Sequence, residues 1–349
     1  MTGFTEQRAF GYLPRSQPLR ASTENGGATW LTHGPEAMDD CSVRTVELGG
    51  VVVRLVTSTD FIRGRGFELC ERGFLNDRDL GHYLAGANLS DIAAMGAQPL
   101  DFHMIVRYPK GYTEENFTET MAGFMECADQ YGCDVQLAGG DTGSYDAPVL
   151  AATVSGVSKN GLLMQANARP GHFVYATGPT GLAAAARIAA EDINHEEYTN
   201  PLIEKWRHVR PRVKEGLAVT QVVGDSGAGT DTSDGLMVAL NNIARKSGVG
   251  MHIFEEDVPT HPSVEFACRK FGKDVLDVVF VNSVDFELVF TAPRELDGRI
   301  RDTFAAQDLE QPHRIGEVVD LSDFRGKRGS NVSFEDGCPL PGRIEMHAA

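Results

Sequence analysis

The chain has 349 residues, too many for one ordinary hydrophobic core, so two domains are expected. Its formal net charge of −17 at pH 7 argues against a nucleic-acid backbone as partner and suits a protein that gathers carboxylates around cations. Hydrophobic residues make up 42% and charged residues 23%, a globular balance, and no apolar run reaches the ~20 residues of a membrane helix.

Residues 1–36 form an irregular arm rich in Gly, Ser, Thr and Pro, without the apolar core of a signal peptide. The six cysteines (Cys41, Cys70, Cys127, Cys133, Cys268, Cys338) contain no CxxC pair, so reduced thiols in a cytoplasmic protein are expected. The histidines show no HxxxH or HExxH spacing, so none is read as a metal ligand.

An N-terminal domain is expected over 37–160. Hydrophobic patterning predicts strands at Ser42–Glu47 and Val51–Thr57, joined at Gly49-Gly50. The second would end at Ser58-Thr59-Asp60, placing those side chains at a strand terminus. A helix is expected through Asp79–Ala87. Ser90 or Asp91 would then cap a short helical run, Ile92–Met95, closed by Gly96. Small residues crowd both sides of this segment, so close approach of another backbone or a ligand is expected. A strand follows at His103–Arg107. Thr113 would cap a helix whose Phe117, Met121, Phe124, Met125 and Ala128 fall at core-packing spacing. Strands are expected at Val135–Ala138, ending in Gly139-Gly140-Asp141-Thr142, and at Val149–Ser158.

The C-terminal domain is expected over 161–349. Strands are predicted at Phe173–Thr177, Met251–Phe254, Phe286–Thr291 and Arg314–Val319. Helices are predicted at Leu182–Ala190, Val213–Val223, Leu236–Gly248, Ser263–Phe271 and Arg294–Ala306. Asp192–Arg210 reads as a charged surface excursion.

Four acidic segments share one grammar, an acid beside a glycine, a helix start or a strand end: STD at 58–60, NLSD at 88–91, GGDT at 139–142 and DTSDG at 231–235. Magnesium takes oxygen ligands and bridges carboxylates to substrate phosphates. Asp40, Asp60, Asp91, Asp141, Asp231 and Asp234 supply such oxygens, and Thr59 adds another. Gly139, Gly140 and Gly235 let backbone N–H groups approach phosphate. Helix starts at Asp91 and Asp234 would aim N–H groups at an anion. There is no GxxxxGK[ST] and no GxGxxG entering a helix, so neither a P-loop nor a Rossmann dinucleotide site is supported.

In order, DDCSV, STD, ANLSDIAAMGAQP, GGDT, the ARPG turn at 168–171, RPRVKEG and DTSDGL resemble the thiamine-monophosphate kinase family. That family lies in the superfamily of aminoimidazole ribonucleotide synthetase, selenophosphate synthetase and the hydrogenase-maturation carbamoyl-dehydrating enzyme. The resemblance runs over about residues 37–320. It implies a two-domain α/β fold, with N-terminal sheets joined into a barrel across a homodimer and a C-terminal α/β sandwich domain. It implies ATP in a cleft lined by NLSD and GGDT, contacted by Asn88, Gly140, Asp141 and Ser233. Magnesium would be held by Asp40, Ser58, Thr59, Asp60, Asp91, Asp141, Asp231 and Asp234, with Asp91 and Asp141 the candidates for steering the acceptor oxygen.

Three positions depart from the family. The loop after STD is one residue shorter, with Gly66 in place of a substrate-contacting histidine. Val284 replaces a substrate-contacting glutamate, and Gln165 replaces a phosphate-contacting arginine. The expectation is therefore ATP- and magnesium-dependent phosphoryl transfer to a small acceptor other than thiamine monophosphate. Arg63 and Arg65 would grip an acidic group on that acceptor, and Asp285 would lie near it. Three rival readings remain: thiamine-monophosphate kinase, an amidine- or ring-forming ligase acting through a phosphorylated oxygen, and a silent nucleotide-binding scaffold.

Overall fold

Residues 31–32, 39–48, 51–62, 68–190, 199–326 and 330–341 are described by the computed structural model. Two six-stranded mixed sheets with covering helices give the expected two-domain α/β fold. In the first, the order is β1-β2-β3-β6-β4-β5. These are β1 Leu31–Thr32, β2 Ser42–Leu48, β3 Val51–Ile62, β4 Gln98–Tyr108, β5 Gln136–Ser144 and β6 Val149–Ser158. All neighbours are antiparallel except β4 and β5. This sheet is open, and no closed barrel forms among the described residues.

The helix α1, Glu68–Glu71, precedes the central helix α2, Asp77–Ala94. A capping box starts α2: Asn76 Oδ1 accepts from Asp79 N–H, and Asp79 Oδ2 accepts from Asn76 N–H. The two helical runs expected on either side of Ala87 are therefore one helix. Asn88 does not interrupt it, because its amide nitrogen donates back to Leu84 C=O at 2.9 Å. Gly96, at φ 64°, ends the segment.

Packing against α2 is tight, as the small residues suggested. The helix α3, Glu114–Tyr131, meets it so closely that a Cβ on Gly123 would lie 1.8 Å from Arg78 C=O. The helix α6, Val213–Val223, approaches from the C-terminal domain, where a Cβ on Gly216 would lie 2.2 Å from Ala93 C=O.

Two strands outrun their expected ends. β3 stays paired with β6 as far as Ile62 opposite Leu150, and β5 stays paired with β4 as far as Ser144 opposite Tyr108. STD and GGDT thus lie inside strands, because a neighbouring strand continues to supply hydrogen bonds.

The second sheet runs β12-β9-β11-β7-β10-β8. Its strands are β7 His172–Ala176, β8 Ala228–Asp231, β9 Gly250–Ile253, β10 Leu288–Pro293, β11 His313–Val319 and β12 Val332–Phe334. Val174, Ala176 and Val289 face the large core. Their neighbours Tyr175, Leu288 and Phe290 face a second core beneath α6 and α10, Asp297–Ala306. Alternation thus sandwiches this sheet between two helical layers. The other layer contains α4 Leu182–Ala189, α7 Leu236–Ser247 and α8 Pro262–Phe271.

Part of the expected surface excursion is a packed helix. In α5, Thr199–Arg207, the side chains of Leu202, Ile203 and Trp206 are buried, and Trp206 Nε1 donates to Ala183 C=O. Residues 191–198 lie outside the described residues. The valine-rich helix α9, Val275–Phe280, had no helical signature; Asp274 caps it by accepting from Leu276 and Asp277 N–H. β10 starts later than expected because Phe286 takes the left-handed conformation, φ 53°.

A buried ion-pair network holds α5 and α6 to β10. Glu287 is 2.7 Å from Lys205 Nζ and 2.7 Å from Arg212 Nη2, and it accepts from Thr177 Oγ1 at 2.8 Å. Burial alone would raise the Glu287 carboxyl, but Arg212 and Lys205 hold it down to about 2. A depressed carboxylate adds stability above its unfolded pKa, lost as pH falls through the folded one. Glu287→Gln takes the countercharge from Lys205 and leaves Arg212 only Glu215 and the exposed Glu310, and is expected to cost about 3–5 kcal/mol at neutral pH. In urea melts, the penalty should shrink as pH falls from 4.5 toward 2; a pH-independent difference would contradict this role for Glu287.

Candidate metal and nucleotide site

Residues 39–40, α2 and the end of β8 converge at one point. Ligand oxygens of Asp40, Asp91 and Asp231 all lie within 4.8 Å of one another. Each carboxylate is held by neighbours. Ser58 Oγ donates to Asp91 Oδ2. Ser90 Oγ donates to Asp231 Oδ2 at 2.5 Å, and Ser233 Oγ to Asp231 Oδ1 at 2.6 Å. Asp40 Oδ1 accepts from Gln165 Nε2 at 3.0 Å and from Thr230 Oγ1 at 2.9 Å. Asp40 Oδ2 is buried with no partner among the described residues.

The electrostatics are those of crowded anions. Burial first, then Asp39 and Asp231, push Asp40 well above the ordinary carboxylate range. Burial first, then Asp231, Asp40 and Asp60, do the same to Asp91. Burial raises Asp231 against the opposing hydrogen bonds from Ser233 and Ser90. The Cys41 thiol beside them is pushed up by burial and by the same acids, so it is no nucleophile. No Lys or Arg pairs with the three carboxylates among the described residues. One buried and two half-buried carboxylates, an orphaned acceptor and no protein cation among the described residues fit a hard divalent ion.

The other expected residues divide between the two faces of the first sheet. Ser58 is buried on the helix-covered face, and Asp60 shares that face with Ala152 and Met104. Asp60 is close enough to raise Asp91, and Asp234 to raise Asp231. Thr59 points the other way, its hydroxyl 2.8 Å from Thr153 Oγ1. Asp141 is also on the open face, in register with Ile105, Ala151 and Phe61. It is 68% exposed and ion-paired to Arg107. Three strand spacings separate β5 from β3, roughly 14 Å. Within one chain, therefore, Asp141 does not join the three carboxylates, and it lies in mid-strand rather than in a turn.

Asp91 sits inside α2, so it is not the helix start expected. Asp234 does stand just before α7, whose cap is Gly235. Asn88 is wholly buried, one helical turn before Asp91, with Oδ1 unpartnered among the described residues. Gly140 faces Met104, whose C=O would lie 2.2 Å from an added Cβ. Asp285 serves the fold instead, since its oxygens accept from Gly181 N–H at 2.6 Å and Ala183 N–H at 3.0 Å. Fully buried there, it presents no free oxygen to an acceptor. Arg63, Arg65 and Gly66 lie outside the described residues. Val284 packs against the core.

Sequence reading placed no role on Asp39, Thr230 or Ser247, which frame the site through Gln165. The only local signals were the doubled acid at 39–40 and the threonine before DTSDG. A separate cleft of about 300 Å³ lies at the end of β4, lined by Tyr108, Tyr112, Thr113, Glu114, Phe117 and Thr142. None of these belongs to the acidic group. Among the described residues no helix is long and apolar enough to cross a membrane.

Two family descriptions match the chain: AIR synthase related protein, N-terminal domain, over residues 38–158, and AIR synthase related protein, C-terminal domain, over residues 169–327. Thiamine-monophosphate kinase of Methanopyrus kandleri is 33% identical over 222 residues, covering 64% of this chain and 69% of that protein. The crystal structure of thiamine-monophosphate kinase from Stenotrophomonas maltophilia K279a matches with TM-score 0.70 at 26% identity, over 86% of this chain and 92% of that one. A structure described as AaThiL complexed with AMPPCP and TMP matches with TM-score 0.72 at 21% identity, over 88% and 91% of the two chains. The last similarity speaks for the fold alone.

The crowded acids yield a stability prediction. Asp231→Asn removes one of three like charges and should raise the melting temperature in EDTA at pH 7. The same variant should lose most of the stabilisation that Mg²⁺ gives the wild type, about 2.7 kcal/mol at one hundred times Kd. Calorimetry with and without Mg²⁺ checks both halves, and an unchanged Mg²⁺ response would count against the site.

Proposed function

Because the chain belongs to the thiamine-monophosphate kinase family of AIR synthase related proteins, we propose that it transfers the γ-phosphoryl group of ATP to thiamine monophosphate. ATP-dependent kinase activity follows from the family. The acceptor is the finer step. The observation that carries the site is the close group Asp40, Asp91 and Asp231, three oxygen donors with no protein cation among the described residues.

The sequence-based expectation that thiamine monophosphate is excluded is not supported. It rested on three departures. Gln165 is occupied in holding Asp40, and Val284 in packing, so neither change by itself signals a different acceptor. Relatives near 30% identity over most of their length are thiamine-monophosphate kinases. Nothing in the described site favours the ligase or scaffold readings.

Asp40, Asp91 and Asp231 would hold magnesium, with Asp60 and Asp234 adding charge at the rim. Bound magnesium neutralises the transferring phosphoryl group and the leaving diphosphate. The chain's own part is positioning. Ser58, Ser90, Ser233, Thr230 and Gln165 fix the carboxylates, so little reorganisation is needed when nucleotide arrives. A phosphate monoester loses its second proton near pH 6, so its oxygen attacks without a general base. That matches a site whose acids are committed to cations.

The reading includes a homodimer. Phe61 and Ile105 are 67% and 47% exposed on the open face beside Asp141, too apolar a row to leave in water. A second copy covering this face would enclose Asp141 in a site shared by the two chains, on the far side of the sheet from Ser58 and Asp60.

Incubation with Mg-ATP and thiamine monophosphate should yield ADP and thiamine diphosphate in equal amounts. Asp91→Asn should lower kcat by about 10²-fold or more, since several kcal/mol of charge stabilisation is lost. Wild-type protein that binds ATP yet makes no thiamine diphosphate would sink this acceptor. In sedimentation, Ile105→Lys should shift the protein to monomer and remove turnover with it; an active monomer would refute the shared site.

A further inference from the structure

Gln165 holds Asp40 through its amide N–H, but its carbonyl has no part in the reaction as described so far. It lies in a short 3₁₀ turn, Gln165–Asn167, at the edge of the C-terminal domain. Only 2% of its surface is exposed. Its Nε2 donates twice, to Asp40 Oδ1 at 3.0 Å and to Thr230 Oγ1 at 2.9 Å. Its backbone is pinned as well: N–H donates to Asp39 Oδ2 at 2.9 Å, and C=O accepts from Ser247 Oγ at 2.8 Å. This side chain therefore has one pose.

In that pose Oε1 is buried without a partner among the described residues, and so is Asp40 Oδ2. Reversing the amide would not cure this. It would set the Gln165 oxygen against Asp40 Oδ1 and give up both donated bonds. Two acceptors thus sit unsatisfied on the two ends of a single Nε2–Oδ1 hydrogen bond. A buried acceptor without a donor costs about 1–3 kcal/mol, and folded proteins keep few of them without reason. A cation, or a water on a cation, satisfies several oxygen acceptors at once. Glutamine carbonyls are ordinary ligands of hard cations.

We infer that Gln165 is part of the metal site: its amide N–H orients Asp40, and its Oε1 joins Asp40 Oδ2 as an oxygen donor to the bound cation or to that cation's water. This rests on the reading of Asp40, Asp91 and Asp231 as cation ligands. It adds a neutral donor from the C-terminal domain, so cation binding also fastens the 3₁₀ turn to the loop that carries Asp40.

The test uses Mn²⁺ as the probe, read by electron paramagnetic resonance on the full chain without nucleotide. Wild type should bind Mn²⁺. Gln165→Leu keeps the bulk and loses both amide functions, and should weaken Mn²⁺ binding about 10- to 100-fold. Its melting temperature in EDTA should fall, because Asp40 Oδ1 loses one of its two donors, so the ligand role is read from Mn²⁺ affinity measured on the folded variant, which a packing role alone would leave unchanged. Gln165→Glu, should the leucine variant fail to fold, keeps the shape and adds an anion. It should melt lower than wild type in EDTA and gain more from Mn²⁺. Variants that match wild type in Mn²⁺ affinity and response would overturn the role of Gln165 alone. Wild type that binds no Mn²⁺ would overturn the metal reading of the site, and this inference with it.

Discussion

Three carboxylates confined within 4.8 Å, away from most water, are the constraint around which this fold is built. Like charges at that distance repel, and burial adds to the cost. The geometry survives only if surrounding structure over-determines it. That is what the packing of α2 provides. Asp91 is carried on a helix buried along nearly its whole length and capped at its start by Asn76. Asp231 ends a strand of the second sheet, and Asp40 leads into the first. The site is thus a junction of both domains, and its precision depends on close approaches such as Gly216 to Ala93. Substitutions there would act on the site through backbone spacing.

Much of this was legible in the sequence, for identifiable reasons. Strand β6 was read at its true limits because Val149–Ser158 is a long run rich in β-branched residues. Helix α3 was legible because Thr113 and Gly132 mark its ends and its apolar residues recur at helical spacing. The acids of the site were legible because each lies in a compact motif. What failed was extent. Whether β3 stops at Thr57 or Ile62 is decided by β6, nearly ninety residues later, and no local signal reports it. NLSD looked like a cap because Asn, Ser and Asp usually are caps. In α2 their side chains turn instead to Leu84, Asp231 and Ser58, which only tertiary contact reveals. Gln165 was singled out only as a departure from the family; its bond to Asp40, 125 positions away, escaped for the same reason.

Strand alternation explains why the acidic motifs do not all meet. In β3, Ser58 and Asp60 face the helices while Thr59 faces out. In β5, Asp141 faces out and Gly140 faces in, and the edge position leaves Asp141 exposed. A one-residue register shift would exchange these faces. The register is fixed, however, by the buried row Ala152, Met104 and Val154. Asp141 is therefore committed to the face of the sheet that stays open among the described residues. Its pairing with Arg107 is the exposed, replaceable kind of ion pair.

The buried Glu287 shows what separates a structural acid from a functional one here. Glu287 and Asp231 are buried and Asp40 and Asp91 half-buried, yet the ionisation of Glu287 moves opposite to that of the three. Arg212 and Lys205 lie against Glu287 and hold it ionised at low pH. Asp40, Asp91 and Asp231 have hydroxyl and amide donors but no protein cation among the described residues, and each is driven up. Burial alone does not mark the site, as Asp285 shows; several carboxylates crowded together without a protein countercharge do. The two groups are joined by Thr232, next to Asp231. Its N–H donates to Glu287 C=O, and its Oγ1 accepts from Glu287 N–H. The compensated ion pair thus anchors the turn that presents the uncompensated one. A neutralised network thus lies directly behind three carboxylates that have no protein cation among the described residues.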